Sequence, residues 1–285
     1  MKLLPKPQFK ETPEEIFETC VQSFRDEDKK KLLLSCRSLV RIDSQEYDNL
    51  IPAQIEDFIQ SKLPENLTVD NLVKVYEQKF VEKGAPGRIF YDQIMSLPNL
   101  RKCPICGVGT VTTLDHYLPK RKYPTLAVTP NNLIPACRDC NMEKGSDAHM
   151  RPDDLPLHIY FDDEKVVREI WLYADFGENS EILYSVRCPK DWEPDICGRV
   201  EKHFELYNLQ RNYSNQAGNE IVDMQYGWKE LLDVSGVDEL RADIRRKRKG
   251  LEKNDLNSWR AALYRCLEKN IQLLTTYLEN MVKNE

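Results

Sequence analysis

The chain has 285 residues, with 41 Lys plus Arg against 47 Asp plus Glu and 41% hydrophobic residues. That length supports buried cores on the scale of about two domains, and no stretch approaches the roughly 20 consecutive apolar residues a membrane-spanning helix requires. A formal net charge of −6 excludes a protein that coats nucleic acid over its whole surface, because phosphate binding needs concentrated cations.

The opening fifteen residues reach Pro5, Pro7 and several charges before any signal-peptide core can form, so a cytoplasmic location is expected. Thr12-Pro13-Glu14-Glu15 then offers an N-cap hydroxyl, a proline at the first helical position and a carboxylate at N3, which predicts a helix start. Ile16, Phe17, Cys20, Val21 and Phe24 follow at helical spacing. Amphipathic patterns predict further helices over 32–40, 51–63 and 69–81, so residues 1–95 read as a helical N-terminal region. Breaker clusters stand at 84–87 and 97–99.

Residues 96–150 differ in character. Cys, Pro and basic residues concentrate there, and short β-prone runs stand at 111–114 and 133–134. Residues 101–145 carry seven cations against three acids, a local +4 that leaves −10 for the rest of the chain. Past this module, 157–161, 166–173 and 182–186 are rich in β-branched and aromatic residues and predict a small antiparallel sheet. The helical period returns near 195, with Ile196, Val200 and Phe204 four residues apart. The expected fold class is α+β, mainly helical, with a metal-held module between the N-terminal region and a mixed C-terminal region, 151–285.

Nine cysteines without a secretory signal argue against a disulfide framework. Cys20, Cys36, Cys188, Cys197 and Cys266 are scattered and read as ordinary small hydrophobes. Cys103-Pro-Ile-Cys106 and Cys137-Arg-Asp-Cys140 instead form two CxxC pairs separated by 30 residues, the pattern of a tetrahedral four-sulfur zinc site. Such a site is closed to water, so it holds structure and any chemistry lies elsewhere.

Around these pairs run Leu114-Asp115-His116-Tyr117-Leu118-Pro119, Asn131-Asn132-Leu133-Ile134-Pro135-Ala136-Cys137 and Cys140-Asn141-Met142-Glu143-Lys144-Gly145. In order, spacing and flanks these segments resemble the HNH endonucleases of the ββα-metal finger fold. The resemblance implies that His116 is the general base, that Asp115 and Asn141 hold Mg²⁺ or another divalent cation, and that Asn132 ties the connecting loop and orients the histidine. Asn141 stands where many members carry a second His. Phosphodiester hydrolysis requires such groups: a base for the attacking water, and hard oxygen ligands for an ion that stabilises charge. Lys120, Arg121, Lys122 and Lys144 are candidate phosphate contacts, the first three with a solvated loop as the equal alternative. His149, His158 and His203 lack partners at metal spacing and read as structural or exposed.

Arg245-Arg246-Lys247-Arg248-Lys249, with Arg241 one turn earlier, fits either a nucleic-acid backbone contact or, with Asp238, Glu239, Asp243 and Glu252 nearby, a solvated helix face. Residues 199–212 resemble the segment after the nuclease core in HNH proteins that accompany an ATPase in bacterial anti-phage systems of the Septu and retron-linked type. The expected function is a metal-dependent endonuclease acting on double-stranded DNA, as the nuclease effector of such a defence complex with an ATPase partner. The alternatives are a zinc-finger adaptor that binds nucleic acid or protein without cutting, or a nuclease restricted to RNA or tRNA.

Overall fold

A computed structural model describes residues 1–52, 54–145, 155–178 and 181–281. The chain divides into two compact units, Leu3–Asp162 and Met1–Lys2 with Asp163–Glu285. It is mainly helical with two small antiparallel sheets, as its α+β patterning predicts. Among the described residues no helix is long and apolar enough to cross a membrane.

In the first unit, Thr12 caps α1 (Pro13–Gln22) in a reciprocal box: its hydroxyl accepts from the Glu15 amide, and the Glu15 carboxylate accepts from the Thr12 amide at 2.8 Å. The helix expected over 32–40 is two helices, α2 (Glu27–Leu34) and α3 (Arg37–Leu50). Between them the Ser35 hydroxyl donates to the Leu32 carbonyl at 2.6 Å, a local bond that competes with helix continuation. Among the described residues of 51–63, the helix expected there is reduced to one tight turn, Ile55–Asp57. Pro52 forces Ile51 into an extended conformation, which ends α3. The buried Asp43 carboxylate then holds the following strand of chain, accepting from the Ser61 amide at 3.2 Å and the Ser61 hydroxyl at 2.5 Å.

Thr68 and Asn71 form a second capping box on α4 (Val69–Val75), which runs on as a wider helical turn over Tyr76–Val81 and so fills the 69–81 span predicted for it. Gly87 then admits α5 (Arg88–Ser96): a Cβ there would lie 2.5 Å from the Cys20 sulfur and 2.6 Å from the Lys79 carbonyl oxygen. The apolar faces of these helices share one core with the finger. Ile16, Phe17, Leu72 and Phe80 belong to the same buried cluster as Leu114, Ala127, Val128 and Leu133.

The finger consists of β1 (Thr113–His116), β2 (Leu133–Ala136) and α6 (Arg138–Lys144). Its strands pair antiparallel with Asp115 opposite Ile134 and His116 opposite Leu133. Residues 157–161 form no strand, contrary to their β-prone composition. Their backbone donors go to side chains instead: the His158 amide to Asp162 at 2.5 Å and the Tyr160 amide to His158 Nδ1 at 3.1 Å. That second bond makes Nδ1 an acceptor, so Nε2–H donates to the Tyr47 hydroxyl at 2.9 Å, and His158 is a fully buried core histidine. His149 lies outside the described residues.

In the second unit, the strand expected from 166 begins later. Lys165–Arg168 is a helical turn, α7, and β3 (Leu172–Phe176) pairs antiparallel with β4 (Ile182–Val186). Asn257 holds this start, its amide oxygen accepting from the Trp171 amide at 3.0 Å and its amide nitrogen donating to the Glu169 carbonyl at 2.7 Å. Helices α8 (Pro194–Leu206), α9 (Leu209–Asn254), α10 (Trp259–Lys269) and α11 (Ile271–Met281) follow. Helix α9 is interrupted at Gly236, whose φ of +82° no helix accommodates.

One sequence expectation about cysteines requires correction. Cys188 and Cys197 are joined in a disulfide, with Cα atoms 5.9 Å apart, because the link from β4 folds back onto the first turns of α8. Both are partly exposed, unlike the buried Cys20, Cys36 and Cys266, where burial pushes the thiols up to about 12, 12 and 11.

Asn257→Ala would strand buried backbone donors and acceptors at the head of β3. We expect a loss of about 2–3 kcal/mol in the second unit, measured as a lower urea midpoint for the full chain.

Candidate active site

The four sulfurs of Cys103, Cys106, Cys137 and Cys140 are buried and lie within 4.8 Å of one another. A zinc–sulfur distance of about 2.3 Å sets the edges of an S4 tetrahedron at about 3.8 Å. The Cys106 and Cys137 sulfurs are 3.8 Å apart. Backbone amides of Val108 and Gly109 donate to the Cys106 sulfur at 3.4 Å each, and the Cys137 amide donates to the Cys103 sulfur at 3.3 Å, which favours thiolates. Gly109 is required at the knuckle, since a Cβ would sit 2.8 Å from the Cys137 sulfur. The donor set and its spacing fit a structural zinc ion.

Cys137 is also the residue from which α6 departs, so the sulfur cluster fixes where that helix lies against β1. Asp115 and His116 close β1, both 8% exposed. The His116 Nε2 lies 2.9 Å from the Ala127 carbonyl oxygen. A carbonyl only accepts, so the proton is on Nε2 and the lone pair on Nδ1. Burial pushes the His116 imidazole down to about 3, which keeps it in its neutral, proton-accepting form near pH 7. Tyr76 from the helical region packs edge-on against the ring at 4.4 Å between centroids.

Asn132 is fully buried. Its amide oxygen accepts from the Leu118 amide at 2.7 Å, and its nitrogen donates to the carbonyls of Leu118 at 3.1 Å and Leu126 at 3.3 Å. The side chain therefore closes the loop that carries Ala127, and through that carbonyl it acts on His116.

Lys144 differs most from its sequence reading. It is 5% exposed, and its ammonium lies 2.8 Å from Asp115 Oδ2 and on the His116 carbonyl oxygen. A group expected at a phosphate is turned inward, because the buried Asp115 carboxylate requires a counter-charge. Burial raises the Asp115 carboxyl above its ordinary value, and the Lys144 charge opposes that rise. Asn141 lies three residues before Lys144, on the same face of α6. It is half-buried, and among the described residues its side chain makes no hydrogen bond. Asp115 and Asn141 thus offer hard oxygen donors suited to a divalent ion, one that would share Asp115 with the lysine.

In the loop after the strand, Lys120 pairs with Glu77 at 3.3 Å and Arg121 with Asp70 at 3.1 Å, while Lys122 is exposed. Sequence reasoning missed Asp43 and Thr125, whose side chains meet at 2.6 Å and brace the same loop from α3. A polar residue inside an otherwise apolar helical stripe was the available signal.

Two outcomes follow from this geometry. Cys137→Ser should remove the stoichiometric zinc, read by elemental analysis, and lower the melting temperature, since metal binding and folding are coupled. Lys144→Met should cost about 3–5 kcal/mol by leaving Asp115 buried and unpaired, and adding Asp115→Asn should recover part of that loss in a double-variant cycle.

Residues 103–147 match the family model described as HNH endonuclease. The chain is 32% identical over 216 residues to protein ea31 of Escherichia phage lambda, an alignment covering 71% of this chain and 73% of that protein. No solved structure matches the chain. With the ordered Asp-His, Asn and Asn residues, four sulfurs at zinc spacing and a relative aligned over most of its length, the chain belongs to the HNH endonuclease family.

Proposed function

We propose that the chain is a metal-dependent endonuclease that hydrolyses phosphodiester bonds of double-stranded DNA. The observation that carries this reading is the fixed His116 tautomer. Nε2–H is spent on the Ala127 carbonyl, so Nδ1 is left to accept a proton from an attacking water. Asp115 and Asn141 would hold the divalent cation, Mg²⁺ or a similar hard ion. Such an ion, when bound, supplies charge stabilisation at the phosphate and the leaving oxygen.

The chain's own residues do the rest. Asn132 keeps the Ala127 carbonyl aimed at the ring, so it is a positioning residue. Lys144 holds the Asp115 carboxylate in place and lowers the charge the site presents to an anionic substrate. An incoming phosphate would raise the proton affinity of His116 from its depressed resting value. Lys122, exposed beyond the strand, is free to meet the backbone; Lys120 and Arg121 would first release Glu77 and Asp70.

The Lys144–Asp115 pair also favours a second reading, in which the lysine is never displaced and the finger is an adaptor that binds without cutting. For the ATPase partner the support is the resemblance of residues 199–212. Arg199, Val200, His203, Tyr207 and Leu209 of that segment are buried, which leaves the exposed Glu201, Glu205, Asn208, Gln210 and Arg211 to face a partner.

Plasmid nicking by the full chain, with Mg²⁺ or Mn²⁺ and with chelator, separates these readings. His116→Ala should slow cleavage by about 10²–10⁴-fold while zinc content is kept. Undiminished cleavage by that variant would defeat the mechanism, and a wild type inert with every cation would favour the adaptor.

A further inference from the structure

The basic run in the last turns of α9 becomes one wall of a groove. Arg241, Arg245 and Arg248 share a face of that helix at i, i+4 and i+7, and Arg265, Glu268 and Lys269 stand on the facing side of α10. Together they line a cavity of about 490 Å³.

Carboxylates in and beside the groove organise the cations without neutralising them. Glu268 accepts from Arg245 Nε at 2.7 Å and Arg248 Nε at 2.6 Å. Glu252 accepts from Arg248 at 2.6 Å and Arg265 at 3.1 Å. Two acids thus brace three guanidinium groups, and Arg241 and Lys269 have no ion-pair partner among the described residues. Five cations against two acids leave a local +3 in a chain of −6. A solvated helix face would not be built this way. Arg241 Nε and Arg265 Nε are buried and make no hydrogen bond within the protein, so neither donor is spent on an internal acceptor. Guanidinium forks suit phosphate oxygens, and the braced side chains have little rotamer freedom left to lose.

We propose that this groove is a binding site for the phosphate backbone of a nucleic-acid strand. One residue beyond Arg248 the exposed Lys249 adds a further cation next to this face. From Arg241 to Lys249 the helix rises about 12 Å, which accompanies about two or three phosphates along one strand. A single small anion would leave most of that row unused. The choice of a polynucleotide rests on the nuclease reading, and the cationic groove itself does not.

The test uses the full chain carrying His116→Ala, so that bound DNA is not consumed, and fluorescence anisotropy with a labelled DNA duplex between about 50 and 200 mM salt. Arg241→Gln with Lys269→Gln removes two cations that make no internal ion pair. We expect a loss of affinity of about tenfold or more, and a log-affinity against log-salt slope shallower by about two. Unchanged affinity and slope in a variant with unchanged melting would overturn the proposal. If the double variant melts early, Lys269→Gln alone should still flatten the slope by about one, and no change there would equally overturn it. Inorganic triphosphate supplies the other arm. Binding of triphosphate that the substitutions abolish, with duplex affinity unaffected, would assign the groove to a free anion and overturn the proposal. Plasmid cleavage is scored separately on the chain with His116, Arg241 and Lys269 all intact: a flattened slope in the double variant without cleavage by that intact chain keeps the groove and rejects the nuclease reading.

Discussion

Four sulfurs within 4.8 Å of one another do more than hold a knuckle together. Two come from the turn before β1 and two from the start of α6, so their shared position fixes the helix against the strand. Asn141 and Lys144 stand one and two turns along that helix from Cys137, and Asp115 and His116 end that strand. Both strands are only four residues long, too short to hold this register alone. The geometry of the candidate site therefore depends on sulfur positions at a distance from it.

The second constraint is charge. Asp115 is a carboxylate in a buried setting, and the chain answers it with an ammonium on α6. The same ammonium also caps the His116 carbonyl, so one lysine fastens helix to strand at the point where chemistry is expected. Histidine and carboxylate are held by different neighbours. Ala127 and Tyr76 determine the ring, Lys144 the carboxylate, and Asn132 keeps the first of these arrangements from drifting.

Much of this was legible in the sequence because it depends on local spacing. The CxxC pairs, Asp115-His116, the capping box at Thr12 and the paired strand at 182–186 are all short-range patterns. What was illegible depends on contacts across many residues. Asp43 reaches Ser61 and Thr125, 18 and 82 positions away, and turns an expected helix into extended chain. Lys144 finds Asp115 29 positions back. Residues 157–161 are a local exception, losing their strand to side-chain acceptors only 4 and 2 positions away. Cys188 and Cys197 are only 9 positions apart, but spacing alone did not show that the link after β4 folds back onto α8.

The apolar cluster that joins the helices to the finger bears on how such a chain can change over time. Leu114, Ala127, Val128 and Leu133 find their cover among residues from the first hundred positions, such as Phe17, Leu72 and Phe80. A finger excised from this setting would present bare hydrocarbon to water, and the helices left behind would lose part of their filling. Zinc ligands and reactive side chains are thus not a portable cassette in this protein.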